Sequence, residues 1–172
     1  MSVEAKSPVF SGHVLGNPSA ANTIKFILRQ QVQPWHPQSA LTHEAAIAVE
    51  KVDPTKFHAF SKLLFERQVE FFDLNIQNLS REQIYERLLE LVKAVGVDAD
   101  KVAALLNLKS GDGVSFNTGN GVTDDLKRVI RLGRQNGIHV SPTALFNGIV
   151  EGGVSSSWGP EEFVKFFVER LP

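Results

Sequence analysis

The 172-residue sequence contains no cysteine. This absence excludes disulfide bonds, thiolate nucleophiles and thiol–disulfide exchange, because each of them needs a cysteine sulfur. Zinc sites built on cysteine are excluded for the same reason, and the histidines and carboxylates show no spacing typical of a structural metal site. We therefore expect no metal ion. Since no disulfide has to form, we expect a cytoplasmic protein.

The sequence also lacks an excess of either charge and a long apolar run. It has 18 basic and 19 acidic residues, which gives a formal net charge of −1. A protein with such balanced charges exerts no strong electrostatic attraction on nucleic acid or on an anionic membrane. No apolar run is long enough to span a bilayer, and residues 1–7 lack the basic-then-apolar order of a secretory signal. We expect neither nucleic acid nor a membrane as a partner.

Length and composition are typical of one globular domain, since 42% of the residues are hydrophobic. Residues 1–23 are rich in Ser, Pro, Gly and Asn and predict a loosely held N-terminal arm. The bulky segment Ile24–Leu28 predicts a strand. We therefore divide the chain into an arm, 1–23, and a single domain, 24–172.

The C-terminal third predicts a hairpin followed by a helix. Pro142 suits the entry to a strand because proline has no N–H for a ladder. Asn147 and Gly148 tolerate positive φ and predict a two-residue turn between strands Thr143–Phe146 and Ile149–Val150. A helix should follow from about Pro160 to Arg170, with one apolar face formed by Phe163, Phe166, Phe167 and Leu171.

Between these strands the apolar residues recur with helical period. We expect Ser39 to cap a helix that reaches Val52. Thr123 is the expected cap of a later helix that ends at Asn136-Gly137. Ser80 and Gln83 predict a capping box. Further helical segments are predicted over Pro54–Phe72, which carries an aromatic stripe, from Ser80 to Gly96, and over Asp98–Leu108. The glycine-rich loop 110–121 lacks the Gly-Lys-Ser/Thr of a phosphate-binding loop.

Three segments carry a resemblance to a known family: Phe26–Pro37, His43–Ala46 and Val140–Thr143. With the order of elements, they resemble the DsbA-like branch of the thioredoxin superfamily, and most closely its eukaryotic, fungal-type members. The resemblance runs from about Ile24 to the C-terminus. It implies an α/β fold in which a thioredoxin-like sheet is interrupted by an inserted helical domain, here about 39–117. It also implies that Pro142 is the family's cis-proline, which helps to present an extended substrate, and that Val140 and Ser141 line the same groove.

The sequence departs from this family at the redox centre. Residues 16–23 lead directly into the segment Ile24–Leu28, so the family's first strand and its nucleophile-bearing helix are missing. A sheet without that strand exposes backbone donors and acceptors. We expect that Phe10–Leu15 or a second chain covers them, which makes a homodimer possible.

These observations predict a redox-inactive protein that binds a peptide, a partner protein or a small ligand near Pro142. We assign no catalytic residue and no cofactor. The candidate ligand-binding residues are Val140, Ser141, Pro142, Thr143, Trp35 and His36, with the loop 110–120 as a further boundary of the groove. Trp35 and His36 lie between Pro34 and Pro37 and form either a small ligand platform or a rigid loop with Trp35 packed on the helices.

Two alternatives stay open. A glutathione-dependent transferase or isomerase of the kappa type would activate the bound thiol with a hydroxyl, and Ser141, Thr143 and Tyr85 are the candidates. The chain could instead be a shortened variant of a protein resembling thiol–disulfide oxidoreductases. His43 and His139 are too isolated to predict a metal site, and His43-Glu44 is expected to be a polar helix edge.

Overall fold

The computed structural model describes residues 26–109, 113 and 116–170. Two units make up the chain, one spanning 30–139 and the other combining 1–29 with 140–172. The first is a continuous segment that interrupts the second in the sequence. It extends beyond the predicted insertion of about 39–117 at both ends. The predicted arm, 1–23, and its segment Phe10–Leu15 lie outside the described residues.

The described elements are mostly helical. The unit 30–139 contains helices α1 to α6, with 3₁₀ turns at Pro54–Lys56 and Gln68–Phe71. These helices are α1 Ser39–Val52, α2 Phe57–Glu66, α3 Asp73–Ile76, α4 Arg81–Ala94, α5 Ala99–Leu106 and α6 Thr123–Gln135. The other unit contains strands β1 Leu145–Phe146 and β2 Ile149–Val150, followed by helix α7 Pro160–Val168. Among all the described residues of both units, no helix has the length and apolar character needed to cross a bilayer.

Helix α1 is the centre of the helical unit, because it packs against α2, α4, α5 and α6. Five consecutive residues, 45–49, are all buried, so neighbouring elements cover every face of this part of the helix. The aromatic stripe predicted over Pro54–Phe72 reaches the core with Phe57, Phe60 and Phe71, which are buried, while Phe65 is half-buried. The two 3₁₀ turns break the regular helical spacing of this segment.

Two of the predicted helix caps are wrong and one is confirmed. Ser80 accepts from the Gln83 N–H while the Gln83 side chain accepts from the Ser80 N–H, which is the predicted capping box. Ser39 is the first residue of α1 rather than its cap, and its hydroxyl accepts from the Gln33 N–H at 2.9 Å. Thr123 likewise lies inside α6.

Asn120 closes the turn that precedes α6. Its side-chain oxygen accepts from the Val122 N–H and from the Thr123 hydroxyl, both at 3.0 Å. The Thr123 oxygen in turn accepts from the Asn120 N–H at 2.8 Å. An asparagine side chain closes such a turn well because it reaches its own backbone two residues on.

The predicted hairpin turn is confirmed. Asn147 has φ 51° and Gly148 has φ 85°, as a two-residue turn with matching twist requires. Leu145 pairs with Val150 and Phe146 with Ile149. The first strand begins at Leu145 and not at the predicted Thr143. The Ser141–Pro142 peptide bond is cis.

The strand predicted over Ile24–Leu28 is not formed in its described part. Phe26–Leu28 has no strand conformation, and the Phe26 and Ile27 side chains are 37% and 55% exposed. The described residues contain one sheet, which has the two strands of the hairpin. The described residues therefore show an α/β arrangement with a small sheet, without the several strands predicted for a thioredoxin-like sheet.

Helix α7 packs its aromatic face against the hairpin of its own unit. The rings of Phe146 and Phe166 lie edge to face with centroids 5.6 Å apart, and Trp158 meets Phe163 at 5.3 Å. The Arg170 guanidinium lies 4.0 Å from the Phe166 ring centroid. The predicted apolar face is thus formed by Phe163, Phe166 and Phe167, while Leu171 lies outside the described residues.

Substitution of Gly121 tests the packing at the start of α6. A Cβ at Gly121 would lie 3.0 Å from the Leu105 backbone oxygen and 2.9 Å from its side chain, and backbone atoms cannot move aside cheaply. We expect Gly121→Ala to lower the free energy of unfolding by about 1–3 kcal/mol, measured by urea denaturation. Gly152→Ala is the control, because nothing lies within 4 Å of its Cβ position. Equal stability of both variants would contradict this packing.

Candidate functional site

The predicted ligand-binding residues belong to different units. Val140, Ser141, Pro142 and Thr143 lie in the unit with the hairpin, whereas Trp35 and His36 lie in the helical unit. The predicted groove combines residues of both units, so it stays a prediction. The contacts of each group of residues are described below within its own unit.

The segment Val140–Thr143 is an open approach to strand β1. Val140 is 55% exposed, and Pro142 and Thr143 are half-buried. The Thr143 hydroxyl donates to the Val140 carbonyl at 2.7 Å, so it is already engaged. Within the described residues the N–H groups of Val140 and Thr143 donate to no backbone carbonyl. This segment can therefore offer main-chain donors to an extended ligand.

Trp35 and His36 lie in a tight turn that is joined to the start of α1. The His36 N–H donates to the Gln33 carbonyl at 3.1 Å, and the Ser39 N–H donates to the His36 carbonyl at 2.9 Å. Trp35 is 61% exposed, with its ring centroid 6.5 Å from that of His36. The alternative in which Trp35 packs on the helices is wrong, because the turn leaves the indole at the surface.

Asp73 joins this turn, although the sequence analysis missed it. His36 Nδ1 lies 3.1 Å and 3.2 Å from the two Asp73 carboxylate oxygens, and Gln38 Nε2 donates to one of them at 3.0 Å. The Gln38 hydrogen bond, and then that of His36, holds the pKa of the Asp73 carboxyl below its ordinary value. No local pattern links residues 36 and 73, so only the fold reveals this network.

A second unpredicted cluster lies beneath α1. Glu44 was expected at a polar helix edge, but it is only 6% exposed. Its carboxylate accepts from the Tyr85 hydroxyl and from Arg81 Nη2, which lies 3.0 Å away. The same Arg81 nitrogen donates to the Tyr85 oxygen at 2.6 Å. A buried carboxylate needs such donors, since an unpaired charge in the core is costly.

This cluster removes Tyr85 from the candidate thiol-activating hydroxyls. Burial, and then the hydrogen bond to the Glu44 carboxylate, raises the pKa of Tyr85 well above its ordinary value. Its hydroxyl is occupied on both sides, as donor and as acceptor. Tyr85 therefore stabilises the helical core.

Among the described residues, no three histidine, aspartate or glutamate side chains lie close enough together to hold a metal ion. His43 Nδ1 lies 2.8 Å from Gln30 Oε1. Burial lowers the pKa of His43 to about 4, although a backbone hydrogen bond at Gln31 opposes the shift. His139 is exposed and lies 3.2 Å from the Gly137 carbonyl.

The predicted loop boundary of the groove is only partly described, since residues 110–112 and 114–115 lie outside the described residues. Its two ends are joined by a hydrogen bond of 2.9 Å from the Lys109 N–H to the Gly119 carbonyl. Phe116 is 91% exposed.

The whole structure is similar to a crystal structure from Pseudomonas syringae that is provisionally described as a protein-disulfide isomerase. The TM-score is 0.69 at 19% sequence identity, and the match covers 96% of this chain and 84% of that one. The chain has a thioredoxin-like fold of the DsbA type. At this identity the likeness shows the fold alone. No family model and no curated protein sequence matches the chain.

The pKa of His43 predicts a stability that depends on pH. The unfolded chain binds the His43 proton near its ordinary pKa of 6.5, and the folded chain only near 4. Between these values the unfolded state holds more protons, so stability rises with pH and is lost as the pH falls. We expect a loss of roughly 2–3 kcal/mol from pH 7 to pH 4.5, measured by urea denaturation. His43→Gln should flatten this slope, while His58→Gln, at an exposed position on α2, should keep it.

The Glu44 cluster predicts a structural role for Tyr85. Tyr85→Phe removes the hydroxyl from a buried carboxylate, so the free energy of unfolding should fall by about 1–3 kcal/mol. In a double-mutant cycle, Glu44→Gln and Tyr85→Phe should be non-additive because the two groups share one hydrogen bond. Strict additivity in thermal or urea unfolding would show that the two side chains act independently.

Proposed function

We propose that this chain is a binding protein of the DsbA-like thioredoxin fold that takes an extended peptide, a partner segment or a small ligand along Val140–Thr143. The observation that carries the proposal is the pair of main-chain donors at Val140 and Thr143, whose N–H groups donate to no backbone carbonyl of the described residues. They precede β1, the first strand of the hairpin. An extended ligand could pair with this backbone as an added strand does.

The proposed protein is redox-inactive. Dithiol exchange needs a thiolate that attacks a disulfide, and the 172 residues contain no cysteine. The name of the Pseudomonas structure therefore supplies no activity for this chain. Binding remains available because it depends on the backbone and on the shape of the segment, and neither needs sulfur.

Glutathione-dependent transfer or isomerisation is a second proposal, with Ser141 as the hydroxyl to test first. Ser141 is exposed and adjoins the cis-peptide bond to Pro142. The Tyr85 hydroxyl is bonded with the buried Glu44, and that of Thr143 donates to the Val140 carbonyl. Under this proposal Ser141→Ala would lose retention on immobilised glutathione.

The remaining assignments are proposals as well. The fungal-type kinship and the origin as a shortened variant rest on the sequence resemblance. A cytoplasmic location rests on the lack of cysteine. A homodimer is favoured by the hairpin, whose Leu145, Ile149 and Val150 side chains are 44%, 74% and 50% exposed.

Titration with neutral extended peptides, and separately with glutathione, tests the binding function. Backbone amide signals of residues 140–146 should shift on binding in nuclear magnetic resonance spectra. Thr143→Pro removes one main-chain donor and should weaken peptide binding by roughly fivefold. Thr143→Val is the matched control: it keeps the N–H and should bind as the unchanged protein does. Shifts confined to other segments, or equal affinity in both variants, would overturn the proposal.

A further inference from the structure

Helix α6 carries a stripe of cations along its exposed side. Lys127, Arg131 and Arg134 are all exposed, and their spacing of four and then three residues places them on one face of the helix. Asp124 begins the same stripe, and its carboxylate lies 3.6 Å from Lys127 Nζ. Arg131 and Arg134 form no ion pair within the described part of the chain. The stripe therefore reads as one carboxylate followed by three cations.

Helix α4 carries the opposite order of charges along its own exposed side. Glu82, Glu86 and Glu90 are all exposed, and their four-residue spacing places them on one face. Lys93 ends this stripe, with its Nζ 2.8 Å from Glu90 Oε1. Among the described residues, Glu82 and Glu86 have no ion-pair partner. This stripe therefore reads as three carboxylates followed by one cation.

The two stripes match when the helices run antiparallel. Each stripe is about 15 Å long, since a helix rises about 1.5 Å per residue. In the antiparallel register every charge of one helix meets an opposite charge of the other. The four pairs are Glu82 with Arg134, Glu86 with Arg131, Glu90 with Lys127, and Lys93 with Asp124. A parallel register would instead place like charges together at both ends of the contact.

The partner that fits the α6 stripe is a protein surface with this order of charges. The large apolar side chains exposed in the described residues do not include any from α6, so the stripe offers nothing to insert into a bilayer or to stack on a base. Asp124 would repel a uniformly negative polymer, whereas α4 places Lys93 at that position. Because both stripes are exposed, they do not meet within one copy of the chain.

We propose that the cationic stripe of α6 binds the acidic stripe of α4 in a second copy of this chain, with the two helices antiparallel. Arginine suits such a contact, because its guanidinium group forms paired hydrogen bonds with a carboxylate. Single exposed ion pairs contribute little, so the contact is weak, sensitive to salt and dependent on several pairs together. It involves the helical unit alone and rests on neither the segment Val140–Thr143 nor the hairpin.

Sedimentation velocity of the full chain over a series of protein concentrations tests this contact. At low ionic strength the weight-average sedimentation coefficient should rise with protein concentration. In about 1 M salt, where the Debye length is about 3 Å, it should return to the value of the monomer. A coefficient that does not change with concentration at low salt would overturn the proposal.

Reversing the charges of either stripe should disrupt the contact. One variant combines Arg131→Glu with Arg134→Glu, and the other combines Glu82→Arg with Glu86→Arg. Each should associate roughly 10- to 30-fold more weakly than the unchanged chain, because two attractions become repulsions. The milder change of Arg131→Gln with Arg134→Gln should weaken association roughly fivefold. Circular dichroism and thermal melts check that each variant is folded.

The matched control reverses two exposed charges outside both stripes. Lys62→Glu with Lys165→Glu, on α2 and α7, changes the net charge as much as the reversal of the two arginines. This control should associate as the unchanged chain does. An equal loss in the control would reduce the effect to net charge and contradict the α4–α6 contact.

Combining both reversals in one chain provides the decisive comparison. This fourfold variant has the net charge of the unchanged chain, and its two stripes are again complementary, so association should return. If the fourfold variant is folded but does not associate, the proposed pairing is wrong. Association that persists in both twofold variants would place the contact on another surface, such as the hairpin, and would equally overturn the proposal.

Discussion

The burial of residues 45–49 of helix α1 on every face is the constraint on which the helical unit depends. Residues 45–49 leave no solvent-facing side, so α2, α4, α5 and α6 must all close on one helix. This packing carries Glu44 into the interior with the apolar residues. A buried carboxylate requires donors, and Tyr85 and Arg81, both from α4, supply them. The polar cluster thus follows from the packing of α1 against α4.

The start of the same helix organises the hydrogen bonds around Asp73. Gln38 immediately precedes α1 and reaches Phe71 and Asp73, while Ser39 receives the Gln33 N–H. These hydrogen bonds hold the turn that carries Trp35 and His36. A rigid core element therefore supports a surface carboxylate and an exposed indole.

Because the chain contains no cysteine, its DsbA-type fold cannot carry out thiol–disulfide exchange. The fold is shared with a structure described as a disulfide isomerase, but fold and function are separable. A thioredoxin-like fold without cysteine still retains backbone edges and surface side chains. The pKa shifts of Tyr85 and His43 are caused mainly by burial in the helical unit.

Local patterns in the sequence were sufficient to predict several elements. The period of apolar residues located α1 and α4, Ser80 and Gln83 set the start of α4, and Asn147-Gly148 set the hairpin turn. Each of these depends on residues a few positions apart, so sequence spacing contains the information. The caps predicted at Ser39 and Thr123 were wrong because both hydroxyls have another use: the Ser39 oxygen accepts from the Gln33 N–H, and the Thr123 oxygen from the Asn120 N–H. The strand predicted over Ile24–Leu28 is not formed in its described part, Phe26–Leu28, because bulky residues favour a strand but the tertiary context decides whether it forms.

By itself the sequence determined the helical periods, the tight turn and the lack of thiol chemistry, because composition and neighbouring residues decide all three. Only the tertiary structure decided that Glu44 is buried with Tyr85 and that Asp73 meets His36 and Gln38. These partners are 41, 37 and 35 residues apart. Contacts over such separations arise from the packing of whole helices, and no local pattern of residues encodes them.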